Sequence, residues 1–182
     1  MNRFLIAALV TAGVGTAAQA GVVTIGSPKS TSCYLAAEAK SDRRGDIETC
    51  TEALAEDSLG IEARAGTYVN RGIIHMNRRD YVAAAADYAR ARELDPDQPE
   101  AYLNEGILAL HQQQAEAAVR YADRSLELDT VRPHIAYFIR GLAHEDRGQA
   151  KLAYRDLQTA SSLAPGWRAV ERELARYTVV AR

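Results

Sequence analysis

Apolar and small residues recur along this chain with a long period. Tyr68-x2-Arg71-Gly72 returns as Tyr102-x2-Glu105-Gly106 and again as Tyr137-x2-Arg140-Gly141, the glycines 34 and then 35 residues apart. Twelve residues after each glycine stands an alanine: Ala84, Ala118 and Ala153. Ala91, Ser125 and Ala160 follow, then Leu94, Leu128 and Leu163. Pro96 and Pro165 close the first and third units. A period of this length marks a stack of helical hairpins. In each unit a first helix carries the Tyr and Gly, and a second carries the alanines. Glycine inside a helix costs ~1 kcal/mol relative to alanine. That cost points to close approach of the second helix where no side chain stands.

Three units are expected at about 65–98, 99–133 and 134–167. Breaks fall at Asn77–Asp80, Asp95–Pro99, Gln112–Gln114, Thr130–Pro133 and Arg147–Gly148, where Asp and Pro suit caps and first turns. The extra residue between units two and three fits the linker Val131-Arg132-Pro133. Before the array, residues 32–43 and 46–58 read as a shortened hairpin, turned at Arg43–Asp46. After Pro165-Gly166, the residues Trp167, Val170, Leu174 and Tyr177 give residues 167–177 one apolar face. Arg168, Glu171, Arg172, Glu173 and Arg176 make the opposite face charged. A last repeat needs such a cap over its open core.

The first twenty residues change the setting. Arg3, the apolar run Phe4–Val14 and Ala18-Gln19-Ala20 have the order of a cleavable signal peptide, leaving Gly21 as the mature start. The run is short for a span of ~20 residues, and no second long apolar segment follows. The chain thus divides into a signal peptide (1–20), a leader (21–31), a degenerate hairpin (32–60), the array with its capping helix (61–177) and a tail (178–182). A periplasmic or secreted location follows. Export gives Cys33 and Cys50 an oxidising compartment, where one disulfide is expected to staple the short hairpin by ~3 kcal/mol. Two free buried thiols are the alternative.

Composition narrows the function. Hydrophobic residues make up 47%, enough for a core. With 22 basic and 24 acidic residues there is no evident basic stripe for nucleic acid. No HExxH, GxSxG, phosphate-binding loop or dinucleotide fingerprint occurs, and no histidine pair has metal-ligand spacing. His75 and His144 share one repeat position that packs between helices. The expectation is a protein without enzyme activity, cofactor or metal.

The aromatic at the fourth position of each unit, Gly at the eighth, Ala at the twentieth and Pro at the thirty-second resemble the tetratricopeptide repeat family. The likeness covers roughly residues 65–167. It implies an all-α fold: a right-handed superhelical stack of antiparallel hairpins. About three full repeats would follow a degenerate N-terminal hairpin and precede a C-terminal capping helix. It also implies a concave groove, lined by the first helices, that binds a peptide or partner protein.

One departure stands out. The family's usual leucine at the seventh position is Arg71 in unit one and Arg140 in unit three. The same two units carry Asp87 and Asp156, whereas unit two has Glu105 and Tyr121. Arginine and aspartate appear and disappear together, which predicts ion pairs Arg71–Asp87 and Arg140–Asp156 between the helices of a hairpin. Inward positions implied by the resemblance are Val69, Asn70 and Ile73; Leu103, Asn104, Ile107 and Leu110; and Phe138, Ile139 and Leu142. Asparagine both donates and accepts, so Asn70 and Asn104 suit the backbone of a bound segment, or else brace neighbouring repeats. No Lys or Arg stands at these positions, so the expected ligand is an apolar extended or helical segment of a partner protein. The strip could instead be covered by the leader's Val22, Val23 and Ile25, or by a second copy in a homodimer. The reading is an adaptor or scaffold of the cell envelope; the alternative is a self-associating structural subunit.

Overall fold

The computed structural model describes residue 21 and residues 26–177. The signal peptide, the tail 178–182 and the docking of Val22, Val23 and Ile25 lie outside the described residues. Among those described there are nine helices and no strand. They are α1 (Pro28–Glu38), α2 (Arg44–Leu54), α3 (Ile61–Asn77), α4 (Tyr81–Leu94), α5 (Pro99–His111), α6 (Ala115–Glu127), α7 (Pro133–Asp146), α8 (Ala150–Leu163) and α9 (Arg168–Leu174). None is long and apolar enough to cross a membrane.

Local chemistry sets the boundaries. The Ser27 hydroxyl caps α1 by accepting the Ser30 N–H at 3.2 Å, with Pro28 in the first turn. The helix therefore begins four residues earlier than position 32. Asp80 caps α4 through the Ala83 N–H. Pro99 and Pro133 open α5 and α7. Five helices end in a left-handed residue: Lys40, Arg79, Gln113, Asp129 and Gly148. At the end of α3, Arg79 N–H returns to Met76 O and Asp80 N–H to His75 O, closing a Schellman motif.

The helices pair as α1·α2, α3·α4, α5·α6 and α7·α8, with α9 on α8. The first helices also touch in series, α1 to α3 to α5 to α7. Each second helix instead packs on the first helix of the next hairpin, as α2 on α3, α4 on α5 and α6 on α7. Helices that touch in series form the inside of a curve, so α1, α3, α5 and α7 make the inner face. Small residues let the layers close: Ala84, Ala91, Ala118, Ser125, Ala153 and Ala160 are fully buried. The glycines play unequal parts. At Gly72 the Tyr88 ring occupies the space of a Cβ, whereas a Cβ at Gly106 would meet only ordinary contacts of 3.5 Å or more. Close approach thus explains Gly72 but not Gly106.

The core runs continuously from Cys33 to Ala143. A second cluster of Phe138, Leu157, Ala160, Ala169 and Val170 lies beneath α9. Trp167 joins the two, its ring 4.9 Å from that of Phe138. At the other end Cys33 and Cys50 form a disulfide between α1 and α2, both sulfurs' residues fully buried. Asn77 Nδ2 donates to Ser41 O and Arg78 to Asp42 O, tying the first hairpin's turn to the end of α3.

Candidate interaction face

Burial sorts the inward strip. Val69, Asn70, Ile73, Leu103, Asn104, Ile107, Phe138 and Ile139 are buried; Leu110 and Leu142 keep partial exposure. Val69, Ile73, Leu103, Ile107 and Ile139 belong to the continuous core. The apolar members therefore bind hairpin to hairpin. The polar members sit one repeat apart on α3 and α5. Asn104 Nδ2 donates to Glu100 O, one turn back, at 2.8 Å. Glu100 is itself buried, and its Oε1 accepts from Thr130 Oγ1 at 3.2 Å and the Val131 N–H at 3.3 Å. This fixes the α6–α7 linker on the first turn of α5.

The linker delivers a cation that the strip positions do not include. Arg132, just before α7, reaches Glu38 at the end of α1, Nη2 to Oε1 2.7 Å. The pair joins residues 94 apart in sequence and links the first and fourth hairpins across the inner face. Gly21 lies against it, donating its N–H to the same Glu38 oxygen at 3.1 Å. The inner face thus carries a partly exposed charged bridge, with the amides of Asn70 and Asn104 buried beneath its surface. Periodicity could not show the bridge, because Glu38 and Arg132 lie outside the matching repeat positions.

The seventh position of each first helix carries a second polar ladder. Arg71 meets Asp87 in two parallel hydrogen bonds, 2.9 and 2.7 Å, and Thr51 Oγ1 on α2 at 2.9 Å. Arg140 meets Asp156 at 2.7 and 2.8 Å, and Asp123 on α6 at 2.6 Å. Each arginine so bridges its own hairpin to the preceding one. In the middle unit the polarity reverses. Glu105 stands 2.7 Å from Arg92 of α4, without hydrogen-bond alignment. Arg92 lies over the rings of Tyr102 and Tyr121. Burial raises the Glu105 carboxyl to about 7, against the opposing pull of Arg92. His75 and His144 are mostly buried beside Asp87 and Asp156, 3.9 and 3.8 Å away. Among the described residues no His, Cys, Asp and Glu gather as a metal site.

Comparison with known proteins agrees with this architecture. Residues 65–98 match the family described as "Tetratricopeptide repeat". No curated protein sequence matches the chain. Among solved structures it is similar to PilW, a "widely conserved type IV pilus biogenesis factor", with TM-score 0.65 and 16% identity over 80% of this chain. The chain spans 65% of that PilW chain. It is also similar to MamA, with TM-score 0.62 and 20% identity over 85% of this chain and 83% of that one. At such identities the likeness is one of fold. Residues 65–98 thus carry a tetratricopeptide repeat, and the hairpins on either side of it stack with the same fold as these solved structures.

Proposed function

We propose that this protein is a non-catalytic adaptor of the cell envelope that holds a partner protein on its inner face. The observation that carries the proposal is the serial contact of α1, α3, α5 and α7, which sets the first helices side by side as one inner face. Asn70 and Asn104 are fully buried within that face and brace the repeats, so contact with a partner falls to its exposed apolar members. Leu110 and Leu142, the partly exposed members of the strip, supply apolar contact at one end. Export fits the order of features in residues 1–20, and the Cys33–Cys50 disulfide belongs in an oxidising compartment.

In-situ crosslinking from Leu110, in the wild type and in Leu142→Asp, tests this. A partner captured by the wild type and lost with the folded variant is the expected result. Equal capture by both would place binding elsewhere. Recovery of the protein's own copies alone would favour a self-associating subunit.

A further inference from the structure

Gly21 is buried, although it lies far from the repeats in sequence. Its N–H donates to Glu38 Oε1 at 3.1 Å, and Arg132 Nη2 holds that same oxygen at 2.7 Å. A Cβ built on Gly21 would stand 2.5 Å from Glu38 Oε1 and 3.3 Å from Asn70 Oδ1. The last residue of α1, the middle of α3 and the residue before α7 therefore converge on one glycine. Arg132 holds the same carboxylate oxygen, so moving it aside disturbs that pair. Any larger residue at position 21 would press on it.

Ala18-Gln19-Ala20 stands immediately before this glycine. In the uncut chain the Gly21 nitrogen is a peptide amide with one hydrogen to give. Hydrolysis of the Ala20–Gly21 bond by a signal-peptidase-type enzyme consumes one water. The hydroxyl goes to the Ala20 carbonyl carbon, and the Gly21 nitrogen becomes an amine that is protonated at neutral pH. A single neutral donor beside Glu38 is replaced by a cation with three donors.

We infer that Glu38, Asn70 and Arg132 form a seat for a glycine α-ammonium, filled by the mature chain's own Gly21. The inference rests on the export reading for its cut site. It adds to the adaptor reading a mature N-terminus held on the inner face. Glu38 supplies the countercharge. Asn70, fully buried, lines the seat with a neutral polar side chain. The fit around the α-carbon selects glycine. Processing then acts on the array itself, because the new charge adds a second cation to the carboxylate that joins the first and fourth hairpins.

Two measurements separate processing from seating. The intact mass of the exported protein reports its first residue. A start at Gly21 is expected; a cut at another residue leaves no ammonium for the seat and overturns the inference alone, and an uncut chain overturns the export reading with it. Independently, a chain beginning at Gly21 is prepared by traceless removal of a tag, and its labelled Gly21 nitrogen is titrated by NMR. The α-ammonium is expected to titrate about one pH unit above the usual range of ~7.7–8.0, and Glu38→Gln to return it there. Gly21→Ala, which alters no helix, is expected to do the same and decides the matter if Glu38→Gln unfolds. An ordinary titration in the wild type overturns the seat and leaves the export reading standing.

Discussion

Arg71 and Asp87 show how much one side chain can carry in this array. Their side chains keep 19% and 7% of their surface exposed and share two parallel hydrogen bonds. Removing one partner strands the other in a place with little water. Arg71→Ala is expected to cost about 2–4 kcal/mol, and Arg71→Ala combined with Asp87→Ala less than the sum of the two. Thermal melts of the three variants check this; an unchanged melting temperature for Arg71→Ala would sink it. The pair was legible in the sequence because Arg and Asp repeat together in two units and vanish together in the third. Glu105–Arg92 was not, since its partner comes from the preceding hairpin and the arrangement occurs once. Glu105 also predicts a pH effect. Its folded carboxyl titrates at about 7 against an ordinary 4.5. The fold therefore favours the protonated acid. That contribution is fully present below 4.5 and is lost as pH rises through 7. Glu105→Gln should gain on the wild type by on the order of 1–3 kcal/mol between pH 5 and pH 8. Denaturant titrations at both pH values measure it, and a constant difference would refute it.

At the scale of the element, the helix ends carry unspent stability. Lys40, Arg79, Gln113 and Asp129 adopt left-handed backbone with φ of 53°, 63°, 59° and 57°. A side chain in that region crowds its own carbonyl, and glycine does not. Gln113→Gly, in the turn between α5 and α6, should stabilise the protein by about 0.5–1 kcal/mol; a lower melting point would contradict that reading of the turn. Gly148 already fills the equivalent place after α7. The turns after α3, α5 and α6 were readable as breaks, but the one at Lys40 was not: residues 32–43 read as one helix, whereas α1 ends at Glu38. Their handedness was hidden, because Arg79 and Gln113 carry no signal for it. The start of α1 was more accessible: Ser27 before Pro28 is a cap followed by a first-turn proline. The residues of the inner strip lie on the first helices α3, α5 and α7. Spacing could not tell that neighbouring hairpins bury most of it, since burial depends on what packs against a face.

Across the whole molecule, the two ends are finished differently. The C-terminal end is closed by α9, with Val170 buried and Trp167 against Phe138. The N-terminal hairpin has short helices of 11 residues each and no hairpin before it in the described chain. Its disulfide compensates by tying residues 17 apart. Cys33→Ser/Cys50→Ser should lower stability by about 3 kcal/mol, read as a reduced melting temperature that matches the wild type under reductant. A melt insensitive to reductant would show the first hairpin to be independent of its cross-link.

The Glu38–Arg132 contact alters the mechanics of the stack. A coil whose turns touch only their neighbours behaves as a spring, and small yields at each joint add up to a large extension. A clasp between its first and fourth turns removes that compliance. The joints of the middle turns can then yield only in compensating ways, and the coil keeps a fixed pitch for as long as the clasp is shut.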